Sequence, residues 1–409
     1  MTFASTWADL APTGRDARTG GYRRFAWSRA DHDLREWFAD QANRRGLSLV
    51  IDRMGNQWAW SGDPDAAPGT ALVLGSHLDS VPDGGAYDGP LGVVAAFLAL
   101  DQARAAGMTP TRPIGIANFV DEEGARFGIA LAGSRVITGL LDGDRALGLT
   151  DDEGTTMADA MRAAGHDPAQ VGPDPEAVAR IGTYVELHVE QGRALATLDA
   201  PVAVGSDIWP HGRWRIDLPG EANHAGTTAL GDRRDAMLSL AGVVTATRDA
   251  AERRGCLATI GKVDLTPGGI NAIPGHATAW LDARGADPDA VRAAVADIAA
   301  AVGERAGDLR EESWTPVTTF APDLAEQVRA CLTRPGGAQV PLLGTGAGHD
   351  AGVLTQAGIA AAMLYVRNPT GVSHAPAEHA EQADCEAGIA ALAAVIEELA
   401  GSAPMAVAE

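Results

Sequence analysis

Lysine is almost absent from this 409-residue chain, in which Lys262 is the only example. The chain carries 32 basic against 54 acidic side chains, which gives a formal net charge of −22 at pH 7. Because phosphate-rich surfaces repel such a molecule, we expect neither a nucleic acid nor an anionic membrane as its partner.

Cysteine and long apolar runs are also scarce. Cys256, Cys331 and Cys385 are odd in number and far apart, which disfavours both a disulfide framework and a cysteine metal motif. No apolar run approaches the length of a membrane span, and residues 1–31 lack the apolar core of a signal peptide. We therefore expect a cytoplasmic protein, long enough for two domains.

A pair of adjacent carboxylates, Glu122 and Glu123, follows an apolar stretch at residues 114–120. This stretch is typical of a buried strand, and open α/β sheets place their sites at the carboxyl ends of such strands. Two like charges side by side are costly unless a cation offsets them. We therefore predict a metal site in which Glu123 binds the metal and Glu122 is the general base that takes a proton from water.

Two further motifs supply metal-binding side chains upstream of the glutamates. An apolar run ends in His77-Leu78-Asp79, where Asp79 can fix the tautomer of the His77 ring. Asp88 lies in the glycine-rich segment 84–92, and glycine lets a backbone approach an ion closely. Since a carboxylate has two oxygens, Asp88 can bridge two metals.

The remaining predicted ligands are His188, in the strand-like segment 184–192, and His374, in the loop 370–376. Each residue taken alone has an ordinary structural explanation, but three motifs that each follow an apolar run favour a joint metal site. Nitrogen and carboxylate ligands suit Zn²⁺ or Mn²⁺, and also Co²⁺ or Ni²⁺. We therefore predict two divalent metal ions per chain, held by these residues: His77, Asp88, Glu123, His188 and His374.

The order of predicted elements divides the chain into three parts. Residues 1–208 alternate between strands and helices, which favours an α/β fold with a mainly parallel sheet covered by helices. Residues 209–318 follow the β-α-β-β-α-β order of a ferredoxin-like α+β unit. Residues 319–409 return to the first pattern and contain His374. We therefore expect a discontinuous metallohydrolase domain with an inserted domain at 209–318.

Six segments together resemble one known family. They follow one another in order over nearly the whole chain: residues 75–82, 84–92, 121–127, 186–192, 222–228 and 346–351. The set resembles the binuclear metal-dependent amidohydrolases that include allantoate amidohydrolase, N-carbamoyl-L-amino-acid hydrolase and β-ureidopropionase. This family lies within the zinc aminoacylase and carboxypeptidase superfamily.

The resemblance implies roles for residues beyond the metal ligands. It implies that the inserted domain is a lid and dimerisation domain of a homodimer, and that His224 reaches the neighbouring subunit's site and stabilises an oxyanion. It further implies that Asn271 and Arg284 hold a substrate carboxylate and that His349 contacts the substrate. Gln191, three residues after His188, can donate to the ureido group.

The leading hypothesis is hydrolysis of a linear carbamoyl or ureido C–N bond in a small carboxylate substrate. Allantoate and N-carbamoyl-L-amino acids are equal candidates. The alternatives are a dipeptidase or an N-acyl or N-formyl amino-acid deacylase, and a small-molecule binding protein with a relic metal site. All the predicted metal ligands and Glu122 are present, which favours an enzyme over a binding protein. The glycines at 344–348 lack the spacing of a dinucleotide loop.

Overall fold

The computed structural model describes residues 1–333, 337 and 339–401 and divides into two compact units. Of the described residues, the first unit comprises 1–206, 319–333, 337, 339–343 and 348–401, and the second comprises 207–318 and 344–347. The segment 344–347 packs with the second unit, although the sequence pattern places it in the metallohydrolase domain. None of the described helices combines the length and the apolar character that crossing a membrane requires.

The strands are short to medium in length. In chain order they are β1 (Ser48–Ile51), β2 (Gln57–Ser61), β3 (Ala71–His77), β4 (Ile114–Phe119), β5 (Ile181–Val189), β6 (Val202–Ile208), β7 (His211–Pro219), β8 (Asn223–His224), β9 (Leu257–Thr266), β10 (Ala272–Ile273), β11 (His276–Arg284), β12 (Asp308–Thr315), β13 (Thr318–Thr319), β14 (Leu342–Thr345) and β15 (Ala360–Val366).

The helices range from one turn to five. In chain order they are α1 (Phe3–Leu10), α2 (Arg29–Arg44), α3 (Pro90–Ala105), α4 (Ala132–Ile137), α5 (Gly143–Leu147), α6 (Met157–Ala163), α7 (Pro175–Arg180), α8 (Ala194–Leu198), α9 (Ala236–Arg254), α10 (Pro288–Gly303), α11 (Pro322–Leu332), α12 (Asp350–Gln356) and α13 (Gln382–Ala400).

The first unit is built on a nine-stranded sheet. Its strand order is β1-β2-β4-β3-β5-β15-β6-β13, with β14 paired to β6. The central strands β4, β3, β5 and β15 are parallel, whereas β1, β2 and β6 pair antiparallel towards the two edges. The predicted α/β fold with a mainly parallel sheet is confirmed.

Burial explains why the central strands read as continuous apolar runs. Every residue of β3 and of β4 is buried, as expected for parallel strands covered on both faces. Helix α3 begins at Pro90, a favoured first helical residue, and its apolar side chains pack with those of α13 in a large hydrophobic cluster. Parallel packing of β3, β4 and β5 brings their carboxyl ends to the same edge of the sheet.

The second unit is a four-stranded antiparallel sheet in the order β12-β7-β11-β9. Its elements follow one another as β7, α9, β9, β11, α10 and β12. Alternate residues of β7 are buried, so one face of the sheet packs with α9 and α10 in a separate core. The chain that links these elements forms a small ribbon of β8 and β10.

Candidate active site

The carboxyl ends of β3 and β4 are joined by the carboxylate of Asp79. Its two oxygens accept hydrogen bonds from the backbone N–H groups of Glu122 (3.2 Å) and Glu123 (3.0 Å). The Nδ1 atom of His77 lies 3.3 Å from the Asp79 carbonyl oxygen and 3.4 Å from its carboxylate. Asp79 thus positions the histidine and the glutamate pair together, a wider task than the tautomer role predicted for it.

Three buried side chains form a first cluster at this edge. Oδ1 of Asp88 lies 3.2 Å from Nε2 of His188 and 3.7 Å from Nε2 of His77. Gly89 adopts φ = 82° beside the His77 ring, and a Cβ at this position would overlap that ring. The glycine-rich segment therefore lets the Asp88 loop close over His77.

A second cluster uses the other oxygen of Asp88. Nε2 of His374 lies 3.5 Å from Oδ2 of Asp88 and 3.5 Å from Oε2 of Glu123. The His374 side chain is 48% exposed, whereas those of His77 and His188 are 1% exposed, so the second cluster is the solvent-facing one. All five predicted metal ligands lie together, in two groups that share Asp88.

The unpaired atoms of these clusters fit a cation. Among the described residues, His77 Nε2, His188 Nε2 and Glu123 Oε1 are buried and have no hydrogen-bond partner. Such atoms are costly to bury unless something compensates them, and a bound cation would do so. Imidazole nitrogen and carboxylate oxygen are ligands for Zn²⁺, Mn²⁺, Co²⁺ and Ni²⁺.

Glu122 is buried beside the first cluster, with Oε2 at 3.7 Å from His77 Nε2. Burial raises the pKa of the Glu122 carboxyl well above its usual range, and the pKa of Glu123 rises to about 8 through burial and the charge of Asp88. Without an added positive charge, both side chains therefore favour their protonated forms.

Two predicted substrate contacts also lie in the first unit. Gln191 donates from Nε2 to Asp88 Oδ2 (2.9 Å), so its amide nitrogen already has an acceptor within the second cluster. The His349 ring is buried, with its centroid 4.5 Å from that of His188, and both of its nitrogens lack a described partner. Burial lowers the pKa of His349 well below the usual value, which keeps the ring neutral.

The other predicted substrate contacts lie in the second unit, at two separate places. His224 and Asn271 are adjacent, since the backbone N–H of Ala225 donates to the Asn271 carbonyl (2.9 Å) beside the ribbon of β8 and β10. Nδ1 of His224 accepts a hydrogen bond from the backbone N–H of Gly226 (2.9 Å), so the neutral ring carries its proton on Nε2.

Arg284 does not meet Asn271 within one chain. It ends the nine-residue strand β11, which begins at His276 next to the ribbon, so it lies roughly 25 Å further along. Its guanidinium pairs with Asp282 (2.7 and 2.8 Å) and donates to the Gly346 carbonyl (2.6 Å). The predicted carboxylate clamp from these two residues thus cannot form inside a single copy of the second unit.

Two buried carboxylates that sequence reasoning missed lie close to the clusters. Glu378 accepts backbone hydrogen bonds from Tyr87 (2.8 Å) and Asp88 (3.0 Å). Asp350 accepts a hydrogen bond from the Ser134 hydroxyl. The acidic residue four positions after His374 was the available signal for Glu378, but acids in loops are usually exposed.

Comparison with known proteins agrees with this geometry. The model of peptidase family M20/M25/M40 matches residues 73–398. N-carbamoyl-L-amino acid amidohydrolase of Geobacillus stearothermophilus is 35% identical over 410 residues, with 96% of each chain covered. Allantoate amidohydrolase of Escherichia coli (strain K12) is 30% identical over 400 residues, again with 96% of each chain covered.

A solved structure shows the same fold. The crystal structure of an amidase of the hydantoinase/carbamoylase family from Burkholderia vietnamiensis superposes with a TM-score of 0.84 at 27% identity, covering 98% of this chain and 97% of that one. The chain therefore belongs to peptidase family M20/M25/M40, a metal-dependent family. Within it, the chain is an amidohydrolase of the group that contains these relatives, and the resemblance inferred from the sequence motifs is confirmed.

Proposed function

We propose that this protein hydrolyses a linear C–N bond of a carbamoyl or ureido group in a small carboxylate substrate, using two divalent metal ions. The observation that carries the proposal is the pair of clusters sharing Asp88, one oxygen towards His77 and His188 and the other towards Glu123 and His374. Relatives that act on N-carbamoyl-L-amino acids and on allantoate support these two substrate classes.

The proposed chemistry divides between the metals and the protein. Bound divalent ions supply Lewis-acid polarisation of the carbonyl and lower the pKa of water. Glu122 accepts the proton that water loses on attack and delivers it to the leaving nitrogen, so the base is restored at the end of each turnover. Neutral His349, beside His188, is the further side chain that we propose contacts the substrate.

The second unit contributes the remaining predicted contacts. Nε2–H of His224 is the donor that its tautomer leaves available for the developing oxyanion. Because Asn271 and Arg284 lie at opposite ends of β11, one carboxylate can contact both only if two copies of the chain supply them. We therefore propose a homodimer through the second unit, in which His224 and Asn271 of one subunit serve the site of its neighbour.

A turnover panel tests the proposed reaction. Enzyme reconstituted with Zn²⁺, Mn²⁺ or Co²⁺ is assayed on N-carbamoyl-L-amino acids, allantoate, N-formyl amino acids, N-acetyl amino acids and dipeptides. We expect the highest kcat/KM on one of the first two classes. Preference for dipeptides or N-acyl amino acids would assign the protein to a peptidase or deacylase role instead, and metal binding without turnover would favour a binding protein.

A further inference from the structure

Glu378 is a buried carboxylate that joins the two loops carrying Asp88 and His374. Its Oε1 accepts both backbone hydrogen bonds described above, from Tyr87 and Asp88. The Ser373 hydroxyl donates to Asp88 Oδ2 (3.0 Å) and lies 3.5 Å from Oε2 of Glu378. A Cβ on Gly85 would overlap the Glu378 carboxyl group, so the loop at 84–88 is shaped around this side chain.

These contacts act on the one carboxylate that both clusters share. Glu378 accepts a hydrogen bond from the backbone N–H of Asp88, while Ser373 and Gln191 donate hydrogen bonds to its Oδ2 atom. Ser373 also precedes His374, a member of the solvent-facing cluster only. A shift of the 370–378 loop relative to the 84–90 loop would therefore disturb the second cluster first.

We propose that Glu378 is a positioning residue for metal binding: it fixes Asp88 relative to His374 and thereby sets the affinity of the second, solvent-facing cluster for its ion. This inference rests on the metal binding of the proposed function. Glu378 acts as a hydrogen-bond acceptor, and its negative charge is not required. An isosteric amide keeps the Oε1 acceptor and adds a donor towards Ser373, so Glu378→Gln should retain the arrangement that Glu378→Ala loses.

The test measures Zn²⁺ binding by competition with a chromophoric chelator, on the full-length protein prepared metal-free. We expect the wild type to bind two ions. In Glu378→Ala the affinity for the more weakly bound ion should fall about 10- to 100-fold, the range seen when residues that support metal ligands are removed. Glu378→Gln should bind within a few-fold of the wild type. Glu381→Ala is the matched control, because the exposed side chain of this neighbour has a described hydrogen bond only with His379, so its removal should leave both affinities unchanged.

Two further variants keep the result interpretable. His374→Ala removes a ligand of the second cluster and so identifies which ion the titration reports. Ser373→Ala removes only the hydroxyl and keeps the buried carboxylate of Glu378. It should lower the affinity for the same ion, and it tests the inference even if Glu378→Ala fails to fold. Unchanged affinities in Glu378→Ala or in Ser373→Ala, or equal losses in the Gln and Ala variants of Glu378, would overturn the inference. A wild type that binds no Zn²⁺, Mn²⁺ or Co²⁺ would instead refute the proposed function.

Discussion

At the scale of single residues, Glu122 and Glu123 are neighbours with different surroundings. Glu123 Oε2 lies 3.5 Å from His374 Nε2 in the second cluster, whereas Glu122 Oε2 lies near His77 and belongs to neither cluster. Asp79 holds both backbone N–H groups, so the two carboxylates keep fixed and separate directions. Adjacent side chains can thus serve as a ligand and as a base.

This difference predicts that replacing each glutamate by glutamine changes a different property, the rate of turnover for Glu122 and metal binding for Glu123. Glu122→Gln should retain both metal ions and lower kcat by about 10²- to 10⁴-fold, because it removes the group that transfers the proton. Glu123→Gln should instead weaken binding of the second ion. Metal analysis and steady-state kinetics on both variants check this, and near-normal kcat in fully metallated Glu122→Gln would exclude the base role.

Individual site residues were predictable where a motif combined an unusual side chain with an apolar run. The motifs of His77, Asp88 and Glu123 meet this condition, whereas His188 lies in a strand-like segment and His374 in a loop. The structure brings all five residues together. Glu378 was not predictable, because its importance arises from backbone N–H groups nearly 300 residues away in sequence. No local pattern carries such information.

At the scale of elements, the end of β4 is held by a buried network in the turn between β1 and β2. Asp52 accepts hydrogen bonds from three backbone N–H groups, from Asn56 Nδ2 and from Trp58 Nε1. Asn56 in turn accepts a hydrogen bond from the backbone N–H of Val120 (2.9 Å), two residues before Glu122. The network thus links a distant turn to the position of Glu122.

We expect Asp52→Ala to destabilise the protein by about 3 kcal/mol or more, since several buried donors would lose their acceptor. The measurement is the midpoint of urea-induced unfolding of the metal-loaded protein. Asp63→Ala is the control, because the side chain of exposed Asp63 has one described hydrogen bond, which it accepts from the nearby backbone N–H of Asp65. Equal midpoints for the two variants would show that the network contributes little.

Element positions followed closely from the apolar patterns. The strand predicted at 114–120 is Ile114–Phe119, and Pro90 begins the helix Pro90–Ala105. Long apolar runs and Pro90 carry strong local signals. The packing of residues 344–347 with the second unit was not predictable, since it depends on contacts of Trp209 and Arg284 with Gly344 and Gly346.

At the scale of the whole molecule, metal binding should contribute to stability. Asp88 and Glu122 are buried and Glu123 is half-buried beside them, and cations would offset the repulsion among their carboxylates. Ions at 100 times their dissociation constant stabilise a folded protein by about 2.7 kcal/mol per site. Chelation should therefore lower the thermal unfolding temperature and readdition of Zn²⁺ or Mn²⁺ should restore it, as followed by circular dichroism; an unchanged temperature would contradict this.

The proposed exchange of residues between subunits makes a separate prediction. Glu122→Gln and His224→Ala should each lose most activity, yet each heterodimer formed when the two are mixed and exchange subunits should regain up to half the activity of a wild-type dimer. One of the two sites in a heterodimer would receive both intact residues. Proven heterodimers without recovered activity would place His224 in its own subunit's site or outside catalysis.

The central claim is that two ions bind through a shared Asp88, and the metal content of the active enzyme tests it most directly. Elemental analysis of freshly purified, active wild type and of Asp88→Ala, combined with activity assays, is the decisive measurement. We predict about two divalent ions per chain in the wild type, and loss of both metal and activity in Asp88→Ala. An active wild type without bound metal, or Asp88→Ala with full metal content and activity, would contradict the account.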